Sequence, residues 1–259
     1  MQNLPRSVTA AACIVVLAAC ASTTLPTAVG VTRAQSVWAP TSPIDSYAVQ
    51  QYAEEMARVQ REGRLNADAD LAQRVRVIAA RVHAQVGAFK PAAVSWGWEV
   101  NVVASEEINA YGRAGGKIFV TSEMVSRLAL TDAEIAFVLG HETAHALREH
   151  TREKVSYAAL MAGLKQLGNK DSTKLSNPYE PYPHPAEPEM EIEADLIGME
   201  LAARASYDPR GALSFIDKLQ RNGGTTKHAF AGSHPDYELR KRRLREKIDA
   251  LAGLSNEKR

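Results

Sequence analysis

Cysteine is almost missing from this chain. Its two cysteines, Cys13 and Cys20, both lie within the first twenty residues, so the body beyond them can form no disulfide and must be held by its core or by a bound metal. Net charge is missing as well: 31 basic against 30 acidic side chains leave +1, and loss of Arg6 with a leader would make it zero. Nothing in that balance asks for nucleic acid or an acidic partner. A membrane-spanning run is also absent, because the apolar stretch Val8 to Ala19 falls short of the ~20 residues a spanning helix needs. No internal repeat is visible. A glycine-rich stretch, Asn109 to Gly116, lacks the strand, spacing and Lys-Ser/Thr of a phosphate-binding loop.

What is present begins with an address. Arg6 followed by the short apolar run has the form of a secretory leader, residues 1–20. Its ending, Leu17-Ala18-Ala19-Cys20, resembles the bacterial lipobox, in which the cysteine is lipidated and becomes the new N-terminus. The alternative is ordinary cleavage after Ala19-Cys20-Ala21, which discards the cysteine; export holds either way. Ala21 rather than Asp after the cysteine resembles the signal for transfer to a Gram-negative outer membrane. Residues 21–43, rich in Ala, Ser, Thr and Pro, read as a flexible tether. A single domain is expected over 44–254, with a short tail at 255–259.

Within the domain, the pattern predicts helices over 46–62 and 67–86, the second capped by Asn66 and ended by Gly87, with Leu71, Val75, Ile78 and Val82 on one apolar face. His83 on that helix reads as structural. Strands are predicted over 94–104 and 117–121. The glycine-rich bend between them reads as a hairpin turn whose second strand lies beside a cleft, where an edge could pair with an extended peptide. A further apolar helix is expected over 155–167, with Tyr157, Leu160, Met161, Leu164 and Leu167 in a stripe whose length favours core over membrane, and a proline-rich loop over 169–188 carries His184. The basic residues of the last helix, Arg240 to Lys247, alternate with acids and read as a solvated face.

The centre of the chain is His141-Glu142-Thr143-Ala144-His145. Four residues advance a helix by about 400° and about 6 Å, so the two imidazoles lie one above the other and can share a metal ion. Glu142 then sits beside that ion, placed to activate the water on it. Thr131 and Glu134 form a capping box that starts the helix ten residues upstream, and Ile135, Phe137, Val138 and Leu139 bury its first half. Zinc held by two histidines wants a third protein ligand and an open position. Thr151 stands where a third histidine of the metzincin pattern would fall, and Gly163, Leu164 and Lys165 stand where an aminopeptidase-type glutamate would.

The next strong helix offers Glu191-Ile192-Glu193-Ala194-Asp195. Glu191 and Asp195 share a face with Ala194, Gly198 and Ala202, small residues that allow close approach to the HETAH helix. Glu191 is therefore the expected third ligand. Asp195 is expected to orient a histidine through its other ring nitrogen, and Glu193 to point away by about 200°. His150 and His228 have no motif role.

HETAH followed some fifty residues on by EIEAD resembles the gluzincin family that contains HtpX, the CAAX-prenyl proteases and the mitochondrial Oma protease. Within that family, the small periplasmic lipoproteins of the LoiP and BepA kind are the nearest in type, without a tetratricopeptide tail. The resemblance runs from about Asn109 to Arg240. Asn109-Ala110-Tyr111 and Gly115-Gly116-Lys117-Ile118-Phe119-Val120 match the substrate-side strand, and Tyr207-Asp208-Pro209 and His234-Pro235 with Arg240 match later motifs. Two departures are Ala114, where the family often has Pro, and Glu187-Pro188, where it often has Ser-Arg.

The resemblance implies a mainly helical α+β zincin-type fold with a small sheet at the edge of the cleft, and one Zn2+ per chain. It also implies that Asn109, Gly115, Gly116, Lys117 and Ile118 contact substrate, and that His234 and Arg240 stabilise the oxyanion or occupy the fourth zinc position at rest. Unfolded or misassembled envelope proteins are the implied substrates, the periplasmic face of the outer membrane the implied place, and outer-membrane assembly machinery a partner. The competing reading is a metal-stabilised envelope chaperone or assembly factor with little peptidase activity, against which an intact Glu142 argues, since structural zinc needs no base.

Overall fold

Two helices buried on nearly every side organise the computed structural model, which describes residues 20–168, 184–223 and 236–251. In chain order the described elements are β1 (Cys20–Ala21), β2 (Gln35–Ser36), α1 (Thr41–Arg61), α2 (Ala69–His83), β3 (Glu99–Val103), β4 (Ala110–Arg113), β5 (Lys117–Thr121), α3 (Ser122–Arg127), α4 (Asp132–Leu147), α5 (His150–Gly168), α6 (Glu187–Arg204), α7 (Gly211–Gly223) and α8 (Tyr237–Ile248). The class is α+β and mainly helical, as expected. The expectations on residues 1–19, on most of the 169–188 loop, on His228 and His234 and on the tail lie outside the described residues.

Helix α4 starts at the expected capping box: the Thr131 hydroxyl accepts from the Glu134 amide, and the Glu134 carboxylate accepts from the Thr131 amide at 2.7 Å. It crosses α6 where two glycines meet. A Cβ on Gly140 would stand 2.6 Å from the Gly198 carbonyl oxygen, and one on Gly198 would stand 2.6 Å from the His141 amide nitrogen. The helices therefore touch backbone to backbone, closer than side-chain ridges normally allow. Helices α2, α7 and α8 pack around this pair, with Val75, Ile78, Val82, Phe137, Phe215 and Leu244 among the fully buried side chains. Helix α4 ends at Leu147, and Glu149 turns the chain with φ 52° before α5 begins.

The sheet has the order β3-β5-β4. The expected hairpin between the first and last of these strands is corrected here: β3 and β5 run parallel, and the hairpin joins β4 to β5. Gly115 and Gly116, both with φ 77°, make the reversal, so half of the glycine-rich stretch is itself a strand. The strand at the edge toward α4 is β4, while β5 is paired on both sides.

Other boundaries shift for local reasons. Helix α1 begins at Thr41, because Pro43 fits a first turn. Asp68, accepting from the Leu71 amide at 2.9 Å, caps α2 in place of Asn66, whose side chain instead bonds the Val102 amide and Asn101 on β3. Leu160, expected in a core stripe, is 49% exposed. No described helix is long and apolar enough to cross a membrane.

The largest departure is at the N-terminus. Residues 22–39 are not a free tether but a strap laid over the helical body. Val29 and Val31 enter the main core, and Gln35 is buried. The Leu25 amide donates to the Phe89 carbonyl at 2.8 Å, the Val29 amide to Glu200 at 3.2 Å, and the Ala39 amide to Ser156 at 3.0 Å. Composition suggested a flexible linker because the attachment falls to a few apolar side chains, such as Val29 and Val31, and to polar and backbone contacts that composition does not register.

Candidate metal centre

About three turns of α4 lead from the capping box to His141 and about four to His145, and the Gly140–Gly198 crossing brings α6 alongside them. The His141 and His145 Nε2 atoms lie 3.1 Å apart. Glu191 reaches both, with one oxygen 3.5 Å from His141 Nε2 and the other 3.4 Å from His145 Nε2. Three donors bonded to one zinc at 2.0–2.1 Å with tetrahedral angles stand about 3.3 Å from each other, so these separations suit the ion. Among the described residues, this is the one cluster of His, Cys, Asp and Glu whose donor atoms converge in this way.

Burial alone would lower the pKa of the His141 imidazole, but Asp195 and Glu191 reverse that and lift it to about 9, as expected of a site that holds positive charge. The Asp195 carboxylate accepts from His141 Nδ1 at 3.0 Å, which turns Nε2 toward His145 and Glu191. Burial would raise Asp195; Arg240, with two hydrogen bonds of 2.7 Å to it, holds it below the usual carboxylate range. That contact gives Arg240 a second place in the centre beside the one the resemblance implies. Its guanidinium is 1% exposed and clamps Asp195, and it is one of two basic residues of α8, with Lys241, that are buried.

His145 is held differently. Its Nδ1 lies 2.8 Å from Nδ1 of His150, whose Nε2 lies 3.0 Å from Glu193. Glu193 does point away from the ligand face, as its position on the helix predicts, and it is buried at 5% exposure among Arg148, Arg33 and His150. Burial opposes its ionisation, but His150 and the two guanidinium groups win and bring its pKa down to about 2.

Glu142, next to His141 on α4, is 3% exposed. Its Oε2 accepts from the Gly112 amide of β4 at 2.7 Å, and its Oε1 is buried with no hydrogen-bond partner. An orphaned carboxylate oxygen on the helical turn that carries two of three converging donors is what a metal and its attacking water would complete. Gly112 is also the glycine that brings backbone close: a Cβ there would lie 2.8 Å from the Glu142 carbonyl oxygen. A recess of about 420 Å³, counting its open mouth, lies beside His145, lined by Ile44, Trp96, Gly112, Gly115, Ala146 and Glu149 among others.

Of the residues expected to contact substrate, none lies on the free edge. Asn109 is tied by its backbone to Thr121, and Gly115 and Gly116 form the turn. Lys117 bonds Gly97 and pairs with Glu99, and Ile118 is buried in the middle strand. The edge belongs to Ala110–Arg113 instead. His184 packs on Tyr157 and accepts from the Ala186 amide, with no part in the centre. Reading the sequence missed His150, Arg148 and Gly112. The available signal was the charged stretch directly after HETAH, where Arg148, His150 and Glu153 are all buried.

Residues 66–248 match the model of peptidase family M48. Over 151 residues, 57% of this chain, the sequence is 35% identical to the mitochondrial metalloendopeptidase OMA1 of Arabidopsis thaliana, of which the match covers 31%. The OMA1 of Schizosaccharomyces pombe is 31% identical over 157 residues, 58% of this chain and 46% of that protein. Metalloprotease LoiP of Escherichia coli is 24% identical over 165 residues, 58% of this chain and 62% of LoiP. The matched part is thus less than two thirds of each of these relatives. With the HETAH helix, the Glu191 ligand position and the match over most of its length, the chain belongs to peptidase family M48.

Proposed function

We propose that this chain is a zinc-dependent endopeptidase of the bacterial cell envelope that cuts unfolded or misassembled envelope proteins. One observation carries the reading: the buried, unpartnered Oε1 of Glu142 belongs to the same helical turn as His141 and His145, whose Nε2 atoms converge with Glu191 at tetrahedral separations. The names of the relatives, metalloendopeptidase and metalloprotease, support the same chemistry. His141, His145 and Glu191 hold the ion, and zinc suits a set of two imidazoles and a carboxylate. When bound, it supplies Lewis-acid polarisation of the scissile carbonyl.

The remaining steps fall to the chain itself. An extended substrate adds along the edge of β4 through backbone hydrogen bonds, a mode that reads main chain more than side chains and suits unfolded proteins. Oε1 of Glu142 takes a proton from the attacking water while Oε2 stays on the Gly112 amide, and the same carboxyl group then protonates the leaving amine. Asp195, clamped by Arg240, keeps His141 in the tautomer that presents Nε2. The leader ending at Cys20 supports export and a lipid anchor, with Ala21 pointing to the periplasmic face of the outer membrane and to its assembly machinery as a partner.

The test is cleavage of an unfolded protein by the zinc-loaded chain beside its Glu142→Gln form. The parent is expected to cut and the variant to keep zinc but cut at least about 100-fold more slowly. Equal rates, or no cutting by either although both hold zinc, would overturn the reading. For the location, Cys20→Ser should release the protein from the membrane fraction; a variant that pellets like the parent refutes the anchor.

A further inference from the structure

We propose that the strap of residues 22–36 is a working part of the metal centre, holding His145 in its metal-binding tautomer through Arg33, Glu193 and His150. The proposal rests on His141, His145 and Glu191 being the metal ligands. An imidazole binds metal through a nitrogen that carries no hydrogen, so the hydrogen of His145 must sit on Nδ1. For His141 a carboxylate, Asp195, settles this directly. The neighbour of His145 Nδ1 is another imidazole, His150, and a pair of imidazoles alone is ambiguous. If His150 donated from Nδ1, His145 would accept there, carry its hydrogen on Nε2 and turn away metal.

Glu193 removes the ambiguity. A carboxylate only accepts, so its oxygen 3.0 Å from His150 Nε2 keeps a hydrogen on that nitrogen. In neutral His150 this makes Nδ1 an acceptor, and His145 then donates from Nδ1 and offers Nε2 to the ion. The device works only while the Glu193 carboxylate is held in place, and two guanidinium groups do that. Arg33, from the strap, reaches its two oxygens at 2.6 and 3.2 Å and binds Glu153 at 2.7 and 2.9 Å. Arg148 donates to it at 3.0 Å.

Arg148 is itself set by the strap. It donates to the Arg33 carbonyl at 2.9 Å and to the Ser22 hydroxyl at 2.8 Å, and its own carbonyl accepts from Gln35 at 2.6 Å. Both cations on Glu193 thus depend on a segment that begins next to Cys20. Ser22, Arg33 and Gln35 are positioning residues for a ligand that none of them touches.

The test is zinc affinity of the full chain by chelator competition, read beside the unfolding midpoint of the zinc-free form. His150→Leu should weaken zinc binding to the folded chain roughly 10- to 100-fold, and Arg33→Met by at least about threefold, in each case beyond what any fall in the zinc-free midpoint accounts for. His150→Asn, whose carbonyl oxygen can accept where Nδ1 did, should recover most of the loss; should His150→Leu not fold, His150→Asn and Arg33→Met carry the test. Parental affinity in Arg33→Met, a loss that merely tracks a fallen zinc-free midpoint, or His150→Asn as weak as His150→Leu overturns the proposal. Glu191→Ala tells the two readings apart. If it loses zinc while the relay variants keep it, the relay is wrong and the ligand assignment stands; if it binds like the parent, the ligand assignment falls and the relay with it.

Discussion

The Gly112 amide donates to Oε2 of Glu142 at 2.7 Å, and the two residues are so close that no side chain fits between them. The edge strand that would receive substrate and the carboxylate that would serve as base are thereby one rigid unit. Gly112→Ala places a Cβ 2.8 Å from the Glu142 carbonyl oxygen and 3.0 Å from Oε2. The strand must lift and the carboxylate must move, so kcat/KM for an unfolded substrate should fall about 100-fold with zinc still bound. Metal content measured beside the rate checks this, and an unaltered rate refutes it.

The crossing of α4 and α6 makes a sharper demand. Gly198→Ala drives a Cβ against the His141 amide nitrogen at 2.6 Å and pushes Glu191 off the histidines. The expected cost is about 1–3 kcal/mol of stability together with weakened zinc binding. Gly163→Ala on α5 is the matched control, because nothing lies within 4 Å of the added methyl. Urea unfolding should show the first variant destabilised and the second stabilised by about 0.5–1 kcal/mol.

Arg240→Met leaves the fully buried Asp195 carboxylate without its clamp. Breaking such a pair from one side costs about 3–5 kcal/mol, and zinc should bind roughly 10- to 100-fold more weakly. Arg240→Lys should rescue little of this, since an ammonium cannot reproduce the two-point contact. Denaturation and chelator competition on both variants measure the two effects.

His83, largely buried, stacks on Trp98 at 4.4 Å and meets the Thr143 hydroxyl at 3.1 Å, and burial pulls its pKa from 6.5 down to about 4. Between those values the unfolded chain takes up a proton that the folded chain refuses. Its contribution is therefore complete above pH 6.5 and lost as pH falls toward 4, on the order of 3 kcal/mol in all. Zinc-free His83→Gln should show a shallower fall in stability across that window than the parent, as guanidinium titrations at pH 7 and 4.5 can measure.

The parts of the site that a sequence reader can find are those set by spacing along one helix. His141 and His145, Glu191 and Asp195, and Thr131 and Glu134 are each read from the 3.6-residue period. The small residues facing α4 even announced the close crossing, and Glu193 does face away. What eluded reading was set by pairs distant in sequence. The β3–β5 pairing skips over an intervening strand, and Arg240 finds Asp195 from 45 residues away. The strap looked like a linker because its Ala, Ser, Thr and Pro content dominates, while a buried arginine contact is invisible to composition.

The strap also makes long closures around the centre. Bringing His141 to Asp195 closes 54 residues of chain, whereas bringing Arg33 to Glu193 closes 160 and Val29 to Glu200 closes 171. A longer closure costs more chain entropy, about 1 kcal/mol more for 160 residues than for 54. The contacts of the strap are thus the ones around the centre that a cut anywhere between the strap and α6 would turn from intramolecular into intermolecular.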